Sequence, residues 1–133
     1  MSIRFIHTAD WQIGKPFANF PADIAGELSA ARLSVIARIA SAARDREARH
    51  VLVAGDIFDS PSIETLLLRR TLEHLRRETA VTWVLLPGNH DPARREGIWD
   101  RARAIGLPEN VAVVTETAPF ALTPHASVLP APV

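Results

Sequence analysis

Three short segments carry side chains that could perform metal-assisted hydrolysis. Asp10 stands near the start, Gly55-Asp56-Ile57-Phe58-Asp59 supplies two carboxylates, and Gly88-Asn89-His90-Asp91 supplies an amide, an imidazole and a further carboxylate. The chain has no cysteine, so any metal ion must be held by oxygen and imidazole ligands, a set suited to manganese, iron or zinc. Asp56 could bridge two ions, because a carboxylate has two oxygens. These residue types indicate a hydrolytic metal centre.

The apolar runs before these segments predict the strands that would position them. Residues 3–8, 51–54 and 81–86 are short and apolar, as buried parallel strands are. Residues 22–48 form an amphipathic helical pattern, and Ser60-Pro61 offers an N-cap and a first-turn proline for a helix through Arg77. This βαβαβ order predicts an α/β fold with a parallel sheet covered by helices. Since the carboxyl ends of parallel strands share one edge of a sheet, we expect the three segments to converge there.

The last third of the sequence has a weaker pattern. It predicts a short helix over residues 97–105 and short strands over residues 111–114, 120–122 and 127–129. We expect residues 1–133 to form a single domain. Because the chain stops among strand-like segments without a polar tail, we expect that domain to be truncated.

Composition narrows the cellular context. Fifteen basic and fifteen acidic residues give a formal net charge of zero, so the average charge does not indicate a nucleic-acid partner. The start has no signal-peptide pattern, and no apolar run approaches the ~18 residues of a membrane span. We therefore expect a cytoplasmic protein that does not associate with a membrane.

The same segments carry a resemblance to a known family. Asp10, the Gly-Asp-x-x-Asp of residues 55–59 and the Gly-Asn-His-Asp of residues 88–91 resemble the successive motifs of calcineurin-like metallophosphoesterases. Residues 7–11, 53–59 and 86–92 are most similar to bacterial SbcD-like DNA repair exonucleases. The resemblance implies a four-layered α/β/β/α sandwich, of which this chain is the N-terminal part, and a two-metal site with manganese as the leading candidate. It also implies cleavage of phosphodiesters at DNA ends beside an ABC-type ATPase partner of the SbcC kind.

Carried over residue by residue, the resemblance implies a role for each side chain. Asp10 would ligate the first metal ion, Asp56 would bridge both ions, and Asn89 would ligate the second. His90 would stabilise or protonate the scissile phosphate and its leaving oxygen. Asp59 would orient His90.

Two departures from the family pattern leave other functions open. Gln12 stands where the family has a histidine ligand, and a carboxamide is the weaker donor, so we expect a loosely held or absent first metal. The downstream Gly-His-x-His motif has no match in this chain. A phosphoesterase acting on small molecules, and a non-catalytic scaffold that binds DNA or a partner, are therefore the alternatives to a nuclease.

Two further expectations concern partners. Arg94 and Arg95 follow the third segment directly and are candidate contacts for a DNA backbone, since phosphate contacts supply most non-specific affinity. A sandwich interrupted at this point would expose sheet edges and apolar surface, so self-association, for example as a homodimer, is also expected.

Overall fold

The computed structural model describes residues 2–133, which form a four-stranded parallel sheet, three helices and a small hairpin. The elements are β1 (Phe5–Thr8), α1 (Ala22–Asp45), β2 (His50–Ala54), α2 (Thr65–Arg77), β3 (Thr82–Leu86), α3 (Ile98–Ile105), β4 (Val111–Val113), β5 (Phe120–Thr123) and β6 (Ala126–Val128). Strands β1 to β4 lie side by side in chain order, each parallel to its neighbour, whereas β5 and β6 pair antiparallel. The predicted α/β class and parallel sheet are confirmed.

One face of the sheet forms the core with the helices. In β2, Val51 and Val53 are fully buried, while Leu52 and Ala54 on the other face are more exposed, as the two-residue period of a strand requires. The buried cluster joins the sheet to α1 and α2 through Trp83, Leu85, Ile36, Ala40, Leu68, Leu72 and Leu75. This packing fixes where each strand ends and therefore where the following loop begins.

The second face of the sheet is covered less completely. A cavity of about 160 Å³ lies there, lined by His7, Leu52, Val53, Ala54, Val84, Leu86, Val114, Val128 and Pro130. The hairpin strand β6 contributes Val128 to this lining. Within the described residues 2–133, no helix has the length and apolar character needed to cross a membrane.

Helix α2 begins later than the sequence predicts. The predicted start at Ser60-Pro61 is wrong, because the helix runs from Thr65 to Arg77. The Ser60 hydroxyl accepts the Ser62 N–H at 3.1 Å in a local turn, an alternative to helix that serine often offers. Arg101 of α3 donates to the Pro61 and Ile63 carbonyls at 3.2 and 2.8 Å and so holds the segment in irregular conformation.

Helix α1 ends at Asp45, three residues before its predicted end. Glu47 adopts a left-handed φ of 55°, and the Ala48 N–H donates to the Ala43 carbonyl at 2.8 Å. This is the Schellman arrangement, which usually places glycine at the left-handed position. A glutamate at that position does not indicate a helix end, so the predicted helix was too long.

We expect His74 on α2 to make the stability of the fold depend on pH. Burial, together with the nearby Arg77 guanidinium, lowers the pKa of His74 below its usual value of 6.5. The unfolded chain therefore binds the proton more readily, and stability should fall as pH drops through 6.5 and level off below the folded-state pKa. We expect His74→Gln to flatten this part of the profile, measured by urea unfolding between pH 5 and 8. An unchanged slope would contradict this assignment.

Candidate active site

The loops after β1 and β2 are joined by main-chain hydrogen bonds. The Asp10 N–H donates to the Gly55 carbonyl at 3.1 Å, and the Gln12 N–H donates to the Asp56 carbonyl at 2.9 Å. A parallel bridge between Ile13 and Phe58 continues this pairing beyond the sheet, and both side chains are buried. The first two segments predicted to carry chemistry therefore meet at the carboxyl edge of the sheet.

Three residues of these loops have a left-handed backbone. The φ angles are 57° for Asp10, 48° for Gln12 and 53° for Asp56. Such conformations cost about 1–3 kcal/mol each in non-glycine residues, and they cluster at functional sites where the surrounding structure enforces them. Here the bonds between the two loops hold Asp10, Gln12 and Asp56 in this conformation.

The Asp91 side chain links the loop after β3 to the loop after β2 through hydrogen bonds. Its carboxylate is fully buried and accepts N–H bonds from Gly88 at 2.8 Å, Asp56 at 3.1 Å and Phe58 at 3.1 Å. Burial raises the pKa of Asp91, while these three bonds act in the opposite direction. The Trp99 indole donates to the Asp91 carbonyl at 2.7 Å. Asp91 is thus the side chain that holds the loops of β2 and β3 in register.

The two loops approach so closely that glycine is required at position 88. A Cβ at Gly88 would overlap with the carboxylate and the main-chain nitrogen of Asp56. We expect Gly88→Ala to lower the free energy of unfolding by at least about 2 kcal/mol, because neither loop can yield without losing the Asp91 bonds. Gly26→Ala is the matched control: nothing lies within 4 Å of a Cβ at that position of α1. It should be neutral or stabilising by up to about 1 kcal/mol in the same chemical denaturation experiment.

His90 lies beside Asp56. The main-chain N–H of His90 donates to Asp56 Oδ1 at 2.9 Å, and the imidazole Nδ1 of His90 lies 3.7 Å from Asp56 Oδ2. The imidazole is 44% exposed, so it can reach a ligand at this edge. Asp59 is half-buried, and among residues 2–133 no direct hydrogen bond or ion pair joins its carboxylate to His90. Its orienting role remains a prediction.

The predicted metal ligands form an incomplete donor set. Asp10 and Asn89 are exposed, Gln12 is half-buried and Asp56 is buried, all in the converging loops. Nevertheless, no group of three or more His, Asp or Glu side chains in the described part of the chain could hold a metal ion. Two carboxylates and two carboxamides do not suffice for a two-metal centre. The residues present therefore do not fit a complete site, and no metal-assisted step follows from them alone.

Arg94 and Arg95 lie just beyond the third loop. Both are exposed, and over residues 2–133 neither has a carboxylate within 4 Å. They line an open groove of about 360 Å³, and Arg103 and Glu116 also line it. The two guanidinium groups are thus available to an anion near the site.

Two residues at this edge were missed by sequence reasoning. Asp91 was recognised only as part of a motif, and its role as a buried acceptor of three N–H bonds had no signal in the pattern. Arg32 was one of several arginines between apolar positions of α1, yet it donates to the Trp11 carbonyl at 2.9 Å. Its place beside the first loop follows from how α1 packs, which periodicity alone does not specify.

Comparison with known proteins gives concordant matches. A family model described as calcineurin-like phosphoesterase matches residues 3–122. The SbcD subunit of the SbcCD nuclease from Rhodobacter capsulatus is 33% identical over 97 residues, which cover 70% of this chain and 22% of that protein. The SbcD subunit from Staphylococcus epidermidis is 27% identical over 96 residues, covering 70% of this chain and 24% of that protein.

A third relative is named as an uncharacterized metallophosphoesterase. The uncharacterized metallophosphoesterase YhaO of Bacillus subtilis is 28% identical over 123 residues, covering 88% of this chain and 29% of that protein. Given coverage of 22%, 24% and 29%, the chain spans about a quarter of the length of the curated relatives it matches.

Proposed function

Since the chain belongs to the calcineurin-like phosphoesterase family, we propose that it is part of a metal-dependent DNA exonuclease of the SbcD type. The observation that supports this most is the convergence of the loops after β1, β2 and β3 at one edge of the sheet. The loop bonds and the buried Asp91 carboxylate create that convergence. The substrate in this proposal is the phosphodiester backbone at DNA ends.

In this proposal some loop residues bind the metal ions and others act on the leaving group. Asp10, Asp56 and Asn89 ligate divalent ions, with manganese the first candidate, and Gln12 offers a weak additional oxygen. Protein outside this chain contributes the remaining ligands. His90, which is exposed next to Asp56, stabilises or protonates the leaving oxygen, and Asp59 orients it in the substrate complex.

The proposed function includes contacts with DNA, a partner protein and a cellular location. Arg94 and Arg95 contact the DNA backbone, since both are exposed beside the third loop. The whole protein works with an SbcC-like ABC-type ATPase in DNA repair, in the cytoplasm, and can associate as a homodimer. The assignment to a nuclease with a second component is supported by the SbcD relatives, which are named as parts of SbcCD nucleases.

A second candidate function is a non-catalytic scaffold that binds DNA or a partner. Gln12 in place of a histidine favours it, as does the lack of a three-ligand acidic or histidine cluster among residues 2–133. A phosphoesterase acting on small molecules shares all the motifs and is separated from a nuclease only by its substrate.

The decisive experiment adds the missing imidazole through Gln12→His. We expect the chain itself to bind manganese weakly and to hydrolyse DNA or bis-p-nitrophenyl phosphate barely or not at all. Gln12→His should raise manganese affinity at least about tenfold, because imidazole is the better donor. The left-handed backbone at position 12 (φ 48°) suits histidine better than most residues. Equilibrium dialysis with metal analysis measures the affinity.

A second histidine variant controls for an effect of the added imidazole that is not specific to position 12. Asn19→His places an imidazole at an exposed position near the end of the first loop, seven residues after Gln12, and should leave manganese affinity unchanged. Stoichiometric binding of two ions with turnover by the unaltered chain would refute the incomplete site. If Gln12→His had no effect on metal binding, the scaffold function would gain support over the nuclease.

A further inference from the structure

A cavity beside Asp10 has a composition typical of a ligand site. It lies between the loop after β1 and helix α1, is open to solvent, and has a volume of about 430 Å³. Its apolar lining includes Phe17, Leu28, Ala31 and Val35, whereas its polar groups are few, chiefly Asp10 and Arg32. Small-molecule sites are commonly concavities of about 300–1,000 Å³ with mainly apolar walls and a few placed polar groups. The cavity meets both conditions.

Arg32 gives this cavity a hydrogen-bonding wall. Its guanidinium carbon lies 5.3 Å from the centre of the Phe17 ring, and one terminal nitrogen donates to the Trp11 carbonyl at 2.9 Å. Its Nε is buried and has no hydrogen-bond partner among residues 2–133. In the same described range no carboxylate lies within 4 Å of this half-buried cation. Because Nε is buried and one terminal nitrogen already bonds Trp11, a bound hydrogen-bond acceptor would meet the guanidinium at its second terminal nitrogen.

The cavity adjoins the edge of the sheet at Asp10, so its position indicates which part of a substrate could enter it. Asp10 belongs both to the cavity lining and to the converging loops. A ligand that fills the cavity thus reaches the edge of the sheet at Asp10. If that edge handles a phosphodiester, the group within reach is the base of the same nucleotide. Aromatic rings and guanidinium planes bind bases by stacking and by hydrogen bonds to ring acceptors.

We propose that this cavity is a nucleobase subsite, in which the base packs beside Phe17 and α1 and accepts a hydrogen bond from the second terminal nitrogen of Arg32. The inference rests on the proposed function, because it takes the nucleotide phosphate to lie at the Asp10 edge. It adds a specific role for the aromatic residue of the first loop and for the arginine of α1. The subsite serves binding and positioning of the nucleotide.

Calorimetric titration of the chain tests the subsite with three probes: 2′-deoxyadenosine 5′-monophosphate, 2-deoxyribose 5-phosphate and 2′-deoxyadenosine. The nucleotide should bind at least about tenfold more tightly than the sugar phosphate. Ala31→Phe fills the cavity from α1 and should remove that difference. Ala37→Phe is the matched control, since Ala37 is also exposed on α1 but does not line the cavity. Circular dichroism confirms that both variants are folded.

The outcomes separate this inference from the proposed function. Equal affinity for nucleotide and sugar phosphate, or an unchanged difference in Ala31→Phe, would overturn the subsite even if hydrolysis were later demonstrated. Binding of the nucleoside that is lost in Ala31→Phe and kept in Ala37→Phe supports the subsite by itself. That result would hold even if manganese binding and hydrolysis failed, since the nucleoside carries no phosphate.

Discussion

Asp91→Ala should lower the free energy of unfolding by about 3–5 kcal/mol, the largest stability effect that we expect from one side chain at this site. The substitution leaves the N–H groups of Asp56, Phe58 and Gly88 without their carboxylate acceptor in a buried place. Each unsatisfied buried group costs about 1–3 kcal/mol, and partial relaxation keeps the total below the sum. Urea unfolding followed by circular dichroism measures the change.

Two companion variants make the explanation specific. In Asp91→Asn one oxygen can still accept from Asp56 and Gly88, while the amide nitrogen meets the Phe58 N–H and cannot accept it. We expect an intermediate loss of about 1–3 kcal/mol. Asp45→Ala removes an exposed carboxylate at the end of α1 and should change stability by less than about 0.5 kcal/mol. If all three variants had the same free energy of unfolding, the Asp91 carboxylate would not be the group that holds the two loops together.

The elements were predictable because their patterns are local. The apolar runs before Gly55 and Gly88 suffice to place β2 and β3. The parallel arrangement then brings the three polar segments to one edge. The helix boundaries were wrong, at the end of α1 because of a local C-cap with glutamate at its left-handed position, and at the start of α2 because of a tertiary contact. Helix α2 begins at Thr65 because Arg101, from an element far along the chain, holds the preceding carbonyls.

The details of the site depended on contacts that residue types do not specify. Asp56, Asp59 and Asp91 are chemically identical carboxylates, yet Asp91 is fully buried, Asp59 is half-buried and Asp56 lies beside His90. The left-handed backbone of Asp10 and Gln12 accompanies main-chain pairing with the second loop, which the residue types alone do not predict. The order of the motifs along the chain predicted which loops converge, and packing determined the neighbours of each carboxylate.

Asp56→Asn should have the largest effect on metal binding, reducing the weak manganese affinity of the chain by about tenfold or more, because it replaces the proposed bridging carboxylate with a neutral amide. The amide oxygen can still accept the His90 N–H that Asp56 Oδ1 accepts at 2.9 Å, so the fold should be preserved. The signal of free manganese in electron paramagnetic resonance measures affinity without requiring turnover. Asp59→Asn is the control three residues away, and it should leave affinity unchanged.

Combining Asp56→Asn with Asp10→Asn shows whether both carboxylates hold the same ion. Asp10 and Asp56 lie on loops joined by the bond from the Asp10 N–H to the Gly55 carbonyl at 3.1 Å. If they share an ion, either substitution removes most of the binding, and the double variant loses much less than the two single effects combined. Independent ions would instead give additive losses. A loss in Asp59→Asn equal to that in Asp56→Asn would show that net charge, rather than ligation by Asp56, attracts the metal to this edge.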